Sequence, residues 1–263
     1  IILATMYLSP IILAKTTIVP VIFYTPETSV AMGGALTLQS KQNPLKRLSG
    51  ITFVTLKGQY QLALTGQTTW SKDKWRAEAE LRFAKFPDRL YGIGSESSAD
   101  YGTYTQSQLS SKSTLQRKLG SWFIGPIIQA GHFKSLKVKP AASQNPALWP
   151  SFDKASFMGV GFGILQDRRD HPFDTRSGHY IHMTFIQNIK ISDAFSKYSE
   201  FMMDSRLYIP ILPKISWASS AMFQIKSKDT PYHTLPRFGD QPGGSRIMRG
   251  YYNERFRDKV LFC

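Results

Sequence analysis

The side chains that most often carry out chemistry in proteins are few and scattered in this sequence. The histidines are His132, His171, His179, His182 and His233. His179 and His182 are three residues apart in a predicted strand, so they point to opposite faces and do not form a two-ligand metal site. The chain contains no Gly-x-Ser-x-Gly nucleophile elbow, and its spacing marks no serine–histidine pair. We therefore predict no enzymatic activity, no metal ion and no cofactor.

The chain is strongly basic, with 33 Lys and Arg against 18 Asp and Glu, which gives a formal net charge of +15. Such a charge can indicate nucleic acid, anionic lipid or an acidic partner. The densest basic run, from Arg246 to Lys259, includes Glu254 and Asp258 and matches no nucleic-acid motif. We therefore assign the charge to turns and a hydrated interior and predict no nucleic-acid partner. The single cysteine, Cys263, excludes a disulfide framework.

Apolar and polar residues alternate along many segments, and this period of two predicts strands. Within residues 75–83, one face carries Trp75, Ala77, Ala79, Leu81 and Phe83, and the other carries Arg76, Glu78, Glu80 and Arg82. The pattern recurs in residues 29–39, 59–70, 198–211 and 215–226. No run of 18 or more apolar residues occurs, so no transmembrane helix is predicted.

Two architectures produce this alternation, and the pattern alone leaves both open. A soluble antiparallel sheet turns its apolar face to a core. A membrane barrel turns that face to lipid and keeps polar groups inside. The predicted strands have about 9 to 12 residues, whereas soluble strands usually have about 5 to 6 and tilted membrane strands need about 9 to 11. Aromatic residues near strand ends, such as Tyr60 and Trp70, fit the girdles of a membrane barrel.

The sequence divides into eleven predicted strands. They cover residues 16–25, 28–40, 50–58, 59–70, 74–86, 103–118, 121–134, 155–166, 179–189, 198–211 and 215–226. Long connections follow the fifth, seventh and eleventh strands, and tight turns follow the fourth, sixth and tenth. Because successive strands run in opposite directions, these long connections all lie on one side of the sheet, as in outer-membrane barrels.

Residues 1–14, IILATMYLSPIILA, form an apolar segment that ends at the small residue Ala14. We interpret it as the remnant of a secretory signal peptide that lacks its basic leader. The alternative is a buried strand or helix at the start of the domain. Residues 15–263 are then predicted to form one β-domain.

Three segments carry a family resemblance. They are PVIFYTPETSVAMGGALTLQS (residues 20–40), DRRDHPFDTRSGHY (residues 167–180) and GDQPGGSRIMRGYYNERFRDK (residues 239–259). In order and spacing they resemble the first hairpin, a periplasmic turn and the sixth extracellular loop of the BamA/TamA family of bacterial surface antigens. FPDRLYGIGSESS, residues 86–98, is similar to a family loop with less specificity. The resemblance spans residues 16–263.

This resemblance implies an all-β fold, an antiparallel transmembrane β-barrel in the bacterial outer membrane. The family barrel has sixteen strands, so about eleven strands and the start of a twelfth are expected here, in an incomplete barrel. Family members that assemble other proteins carry POTRA domains before the barrel, and we identify no POTRA domain in this sequence.

The resemblance also implies site residues in the sixth loop. Arg249, Gly250 and Tyr251 match the Arg-Gly-Tyr or Arg-Gly-Phe tip of that loop, whose arginine meets acidic groups on the inner barrel wall. A guanidinium keeps its charge and offers five fixed donors, which suits such an anchor. We expect Arg246, Arg255 and Arg257, by contrast, to be solvated.

The second group of site residues belongs to the resembled periplasmic turn and is expected to be structural. It consists of Asp167, Arg168, Pro172 and Gly178. Pro172 would stiffen the turn, and Gly178 would ease the start of the next strand.

Three functions remain open at this point. The first is a barrel that assists the insertion or translocation of polypeptides, with unfolded outer-membrane proteins as clients, periplasmic proteins as further partners and outer-membrane lipid around it. The second is a passive pore or structural surface antigen without a polypeptide client. The third, which we expect least, is a barrel lipid hydrolase.

Overall fold

The chain folds almost entirely into antiparallel strands. A computed structural model describes residues 14–25, 29–43, 45–94, 97, 100–171, 174–192, 195–213, 215–238 and 256–262. The strands are β1 (Ala14–Thr25), β2 (Ser29–Ser40), β3 (Arg47–Thr55), β4 (Tyr60–Trp70), β5 (Trp75–Leu90), β6 (Gly102–Leu119), β7 (Trp122–Lys139), β8 (Lys154–Asp167), β9 (Gly178–Asn188), β10 (Tyr198–Leu212), β11 (Ile215–Lys226), β12 (Arg237–Phe238), β13 (Phe256–Arg257) and β14 (Val260–Phe262). Single 3₁₀ turns cover Pro146–Leu148 and Tyr232–Thr234.

One sheet contains β1 to β11 in sequence order, and β14 then pairs with β11 as a twelfth strand. Within the described residues β1 and β14 are the two edges of this sheet. The strands β12 and β13 form a separate two-stranded sheet. The predicted eleven strands and the start of a twelfth are therefore confirmed.

The predicted boundary between β3 and β4 was wrong. The sequence placed β3 and β4 in direct succession, but a turn separates them at residues 56–59. Gly58 adopts a φ of +73° there, and the Thr55 hydroxyl donates a hydrogen bond to the Gln59 side chain at 2.9 Å. The strand β6, although nearly all polar, extends over 18 residues. Its inward side chains Tyr104, Gln106, Gln108 and Ser110 form a chain of hydrogen bonds, each between 2.9 and 3.1 Å.

The two ends of the sheet differ in the length of their connections. We call the end with the connections after β5, β7, β9 and β11 the loop end, and the end with those after β4, β6, β8 and β10 the turn end. The loop end carries residues 91–101 and 140–153, whereas β6 and β7 are joined at the turn end by two residues, 120–121. The predicted segregation of long connections to one side is confirmed.

The outer face of the sheet is a broad apolar surface. Its exposed side chains include Ile22, Leu36, Leu81, Leu109, Ile128, Val160, Phe185, Ile209 and Trp217, which come from strands β1, β2 and β5 to β11. The opposite face carries most of the charged and amide side chains of the same strands. In the described ranges, no helix has the length and apolar character needed to cross a membrane.

Candidate functional site

The segment that follows β11 packs against the inner face of the sheet at the loop end. There Tyr232 and Leu235 join Leu90, Tyr104 and Phe152 in a buried apolar cluster. The Trp149 ring stacks on Tyr232 with a centroid distance of 4.8 Å and an interplanar angle of 10°. The Tyr232 hydroxyl donates a hydrogen bond of 2.8 Å to the Tyr91 carbonyl. This segment is therefore fixed against the ends of β5, β6 and β8.

His233 extends this contact to β7. Its ring is parallel to the Phe133 ring, with centroids 5.4 Å apart, and its Nε2 donates to the Phe152 carbonyl at 2.8 Å. The Ser135 hydroxyl lies 3.1 Å from the same nitrogen, and Nδ1 lies 3.2 Å from the Gln106 amide oxygen. His233 thus links the segment to several strands by both stacking and hydrogen bonds.

Arg257 is fully buried at the centre of this site. Its Nη2 lies 3.3 Å from the Asp88 carboxylate and 3.2 Å from the Tyr104 hydroxyl, and Nη1 lies 3.4 Å from the Tyr232 carbonyl. The guanidinium carbon is 4.4 Å from the centre of the Tyr232 ring. Arginine suits this position because its planar fork can donate to several acceptors and also stack on an aromatic face.

The expectation that Arg257 is solvated was therefore wrong. The physical reason is the hairpin formed by β12 and β13, in which Arg237 pairs with Arg257 and Phe238 pairs with Phe256. This hairpin brings Arg257 to the inner wall, where Asp88 compensates its charge. The sequence did contain a signal, since Asp88 lies in the segment 86–98 that resembles a family loop.

The predicted tip residues Arg249, Gly250 and Tyr251 lie outside the described residues, as do Arg246, Arg255 and Pro172. Their roles stay predictions. Most of the signal-like segment 1–14 also lies outside the described ranges, in which β1 begins at Ala14.

Asp167 and Gly178 flank the turn between β8 and β9, and the ion-pair partner of Asp167 is Arg169. The Asp167 carboxylate accepts hydrogen bonds from Arg169 Nε at 2.8 Å and Nη2 at 2.7 Å. Arg168 contributes its backbone, donating from its amide to the His179 carbonyl at 2.9 Å. Gly178 has a φ of +102°, and a Cβ there would lie 2.1 Å from the Arg168 carbonyl oxygen. Only glycine fits this position without strain.

Asp170 stabilises the same turn from a solvent-exposed position. Its carboxylate accepts hydrogen bonds from the backbone amides of Arg176 at 3.0 Å and of His171 at 2.9 Å. The Arg176 amide bond is the main cause that holds the pKa of the Asp170 carboxyl below its ordinary value. A carboxylate that accepts amide bonds favours its charged form.

The inner face of the sheet carries charges in compensating pairs. Arg76 contacts Glu78 at 2.7 Å, Lys226 contacts Glu200 at 2.5 Å, and Arg206 pairs with Asp204. A cavity is lined by Arg76, Glu78, Glu80, Lys112, Thr114, Gln116, Leu165, Tyr180 and His182. The described residues form no cluster of three or more His, Cys, Asp or Glu side chains that could hold a metal ion. The arrangement is a polar inner wall.

One serine–histidine contact was missed by the sequence analysis. His132 and Ser156 are cross-strand partners on β7 and β8, and His132 Nδ1 lies 2.9 Å from the Ser156 hydroxyl. Both side chains are on the outer face. In the portion of the chain that the structure describes, no third side chain hydrogen-bonds to this pair. Cross-strand pairing, which residue spacing does not reveal, creates the contact.

No known family profile matches this sequence, and no curated protein matches it. Among solved structures, the chain is similar to the crystal structure of BamA from Haemophilus ducreyi lacking POTRA domains 1-3, with a TM-score of 0.58 and 12% sequence identity. The similarity covers 92% of this chain and 46% of the other, so this chain spans less than half the length of that BamA.

The fold is that of the BamA β-barrel. At this identity the likeness shows the fold alone, and it confirms the predicted all-β, antiparallel barrel class, with the sheet open between β1 and β14 in the described residues. The sequence resemblance to the BamA/TamA family thus agrees with the fold.

Proposed function

We propose that this chain is an outer-membrane β-barrel of the BamA/TamA surface-antigen type that assists the insertion or translocation of polypeptides. The BamA-like fold and the apolar outer face support the membrane location. The observation that carries the proposed activity is Pro20 in β1, the first strand of the sheet, because proline removes a backbone donor and so weakens the pairing that this strand can make. All twelve residues of β1 pair with β2.

The chemistry of β1 suits a seam, by which we mean a weakly paired boundary between the first and last strands of the barrel that can open. An unpaired edge presents a row of backbone donors and acceptors that can template an incoming strand. Pro20 lies within β1, opposite Gly34, and removes one backbone donor from the strand. Ile18 and Ile22 on the outer face are about three-quarters exposed and would meet either lipid or the apolar side of a client strand. Backbone pairing would then supply the attraction, without a cofactor or an energy source.

A photo-crosslinking experiment tests this mechanism. A photoreactive residue is placed at Ile22 on β1 or at Val160 on β8, which are both outward and exposed but lie at the edge and in the middle of the sheet. The full-length protein in lipid vesicles then receives an unfolded outer-membrane protein. We expect crosslinks to the client from position 22 and few from position 160. Equal crosslinking at the two positions would contradict a seam at β1.

A passive pore is the second candidate, because the polar inner face and its cavity suit a hydrated interior. The packed cluster around Tyr232 and Arg257 argues against a wide opening at the loop end. Planar-bilayer conductance separates the two functions. A steady open current that clients do not change supports the pore, and current changes that depend on unfolded client support the seam.

We also propose that the protein works without catalysis. A serine nucleophile needs a base that a third group orients, together with donors for the developing oxyanion. The pair of His132 and Ser156 has the base but no orienting side chain among the described residues. Phospholipid hydrolysis that is lost in Ser156→Ala protein would overturn this proposal.

A further inference from the structure

One row of side chains crosses the outer face of the sheet near the loop end and is unlike the apolar rows below it. Successive cross-strand pairs connect Tyr60, Lys85, Ser107, Lys134 and Lys154, which belong to β4, β5, β6, β7 and β8. We call this set the lysine row. It continues from strand to strand without a break in register, so its three ammonium groups project from one face at one height.

Within the described residues, the lysines of this row have no internal counter-charge. Lys134 and Lys154 are direct cross-strand partners and both are exposed. Like charges in such a position repel each other and weaken the sheet. In the part of the chain that the structure describes, no carboxylate lies within ion-pair distance of Lys85, Lys134 or Lys154. An external anion between the two facing lysines would remove the repulsion.

The row borders the apolar surface directly. One pair position nearer the turn end, about 7 Å along the strands, the outward side chains are Leu62, Phe83, Leu109, His132 and Ser156. Further rows contain Leu81, Met158, Ile128 and Val160. The lysine row therefore lies at the height where the apolar face ends, which is where lipid headgroups meet a membrane barrel. Long lysine stems let the ammonium groups reach that region.

His132 and Ser156 add hydrogen-bonding groups immediately below the facing lysines. The Ser156 hydroxyl and the His132 ring are 2.9 Å apart, on the same face and the same two strands as Lys134 and Lys154. These four side chains form a compact patch with two positive charges and further polar donors. Phosphate oxygens accept bonds from ammonium, hydroxyl and imidazole groups alike.

We infer that this patch binds the phosphate group of a lipid in the leaflet that faces the loop end. A phosphorylated glycolipid or phospholipid satisfies both parts of the surface, because its phosphate neutralises Lys134 and Lys154 while its acyl chains cover the apolar rows below. Free phosphate satisfies only the first part. The inference requires that the outer face contact lipid, and it does not depend on a seam at β1, so client insertion and lipid binding can fail independently.

Lipid binding by the detergent-purified full-length protein tests the inference. The probe is fluorescent lipid A that carries its phosphates, compared with the same lipid after removal of the phosphates. The variant is Lys134→Gln/Lys154→Gln, and the control is Lys74→Gln/Lys118→Gln, which removes the same charge at the turn end. Each lysine near an anionic lipid surface contributes about fivefold in affinity. We therefore expect the first double variant to bind phosphorylated lipid A about 25-fold more weakly, and the control to bind like the unmodified protein.

Four comparisons decide the inference. We expect the unmodified protein and the Lys134/Lys154 variant to bind dephosphorylated lipid equally, and added salt to weaken only binding of the phosphorylated lipid. Equal binding of phosphorylated lipid A by the two proteins would overturn the inference. So would displacement of lipid A by inorganic phosphate at the same concentration as by unlabelled lipid A, because the patch would then recognise free phosphate. The salt comparison on the unmodified protein keeps the test decisive if the variant does not fold.

Discussion

Arg257 and Asp88 are 169 positions apart in the chain, yet their side chains meet at 3.3 Å against the inner wall of the sheet. The pair joins the segment after β11 to the end of β5. Arg257 has no exposed surface, and Asp88 is 14% exposed. Removing one partner of a buried pair leaves the other charge uncompensated, which typically costs about 3–5 kcal/mol.

The first prediction concerns Arg257. Replacing Arg257 with Ala should release the segment after β11 from the inner wall, while leaving strands β1 to β11 paired. It should also lower the temperature at which the protein changes from its folded to its unfolded mobility on a gel, which is the heat-modifiable shift. Arg257→Lys should recover only part of the loss, because an ammonium cannot reproduce the planar fork or its stacking on Tyr232. Limited proteolysis of residues 226–262 and heat-modifiability of the full-length protein measure both effects.

Arg176 provides the matched control, since its side chain is 57% exposed and its contact with Asp174 is long, at 3.9 Å. Arg176→Ala should change stability by at most about 1 kcal/mol. A double-mutant cycle with Asp88→Asn then isolates the pair. If the effects of Arg257→Ala and Asp88→Asn simply add, the two residues are not coupled and the role assigned to Arg257 is wrong.

The second prediction concerns Arg249, the loop-tip arginine implied by the family resemblance. Arg249→Ala should raise protease sensitivity in the loop without preventing strand pairing, with a cost of about 1.5–3 kcal/mol for a charge-assisted pair. Arg249→Lys should restore part of it. Arg246→Ala and Arg255→Ala serve as comparisons, whereas Arg257→Ala does not, because Arg257 is buried. Equal proteolysis of the Arg246, Arg249 and Arg255 variants would remove the special role of Arg249.

The strands could be predicted from the sequence, whereas the site at the loop end could not. In a strand with one apolar face, apolar and polar residues alternate, as they do from Trp75 to Phe83. Such a strand can be predicted from its own residues, without knowing which strands lie next to it. The contact of Arg257 with Asp88 depends on the docking of a distant segment. Burial of Tyr232 and His233 likewise follows from long-range packing, and their short sequence Tyr-His-Thr has no periodicity.

The contacts on the outer face also depend on strand pairing that the sequence of a single strand does not reveal. His132 and Ser156 are 24 residues apart in the sequence, and only the register of β7 and β8 makes them partners. The lysine row depends on four successive registers in the same way. Register follows from turn lengths and pairing across the whole sheet, so it was not available from the separate strand predictions.

The third prediction tests the backbone requirement at Gly178. Gly178→Ala should destabilise the turn between β8 and β9, because the new Cβ would lie 2.1 Å from the Arg168 carbonyl oxygen as well as requiring a positive φ. Gly120→Ala is the control, since Gly120 also has a positive φ, of +62°, but open space around its Cβ position. The control should cost about 1–2 kcal/mol for the left-handed backbone alone.

The difference between the two alanine variants therefore measures the steric clash. It is read from the midpoint of the heat-modifiable transition of the refolded proteins. Gly178→Ala should lie clearly below Gly120→Ala, and the two midpoints would coincide only if the turn can shift to relieve the contact.

The fourth prediction concerns pH and the turn that Asp170 stabilises. The folded pKa of this carboxyl lies below its ordinary value of 3.8, because the Arg176 amide, above all, donates to the charged form. A group with a lowered folded pKa contributes stability above its unfolded pKa, and that contribution disappears as pH falls through the folded pKa. Asp170→Asn keeps an acceptor oxygen but removes the charge. The unmodified protein should therefore be more stable than Asp170→Asn at neutral pH, and this difference should shrink below about pH 4.

The amide chemical shift of Arg176, followed by NMR in micelles, should titrate with a midpoint below 3.8 in the unmodified protein and not in the variant. A midpoint at or above 3.8 would mean that the hydrogen bonds to Asp170 do not favour its charged form in the folded turn.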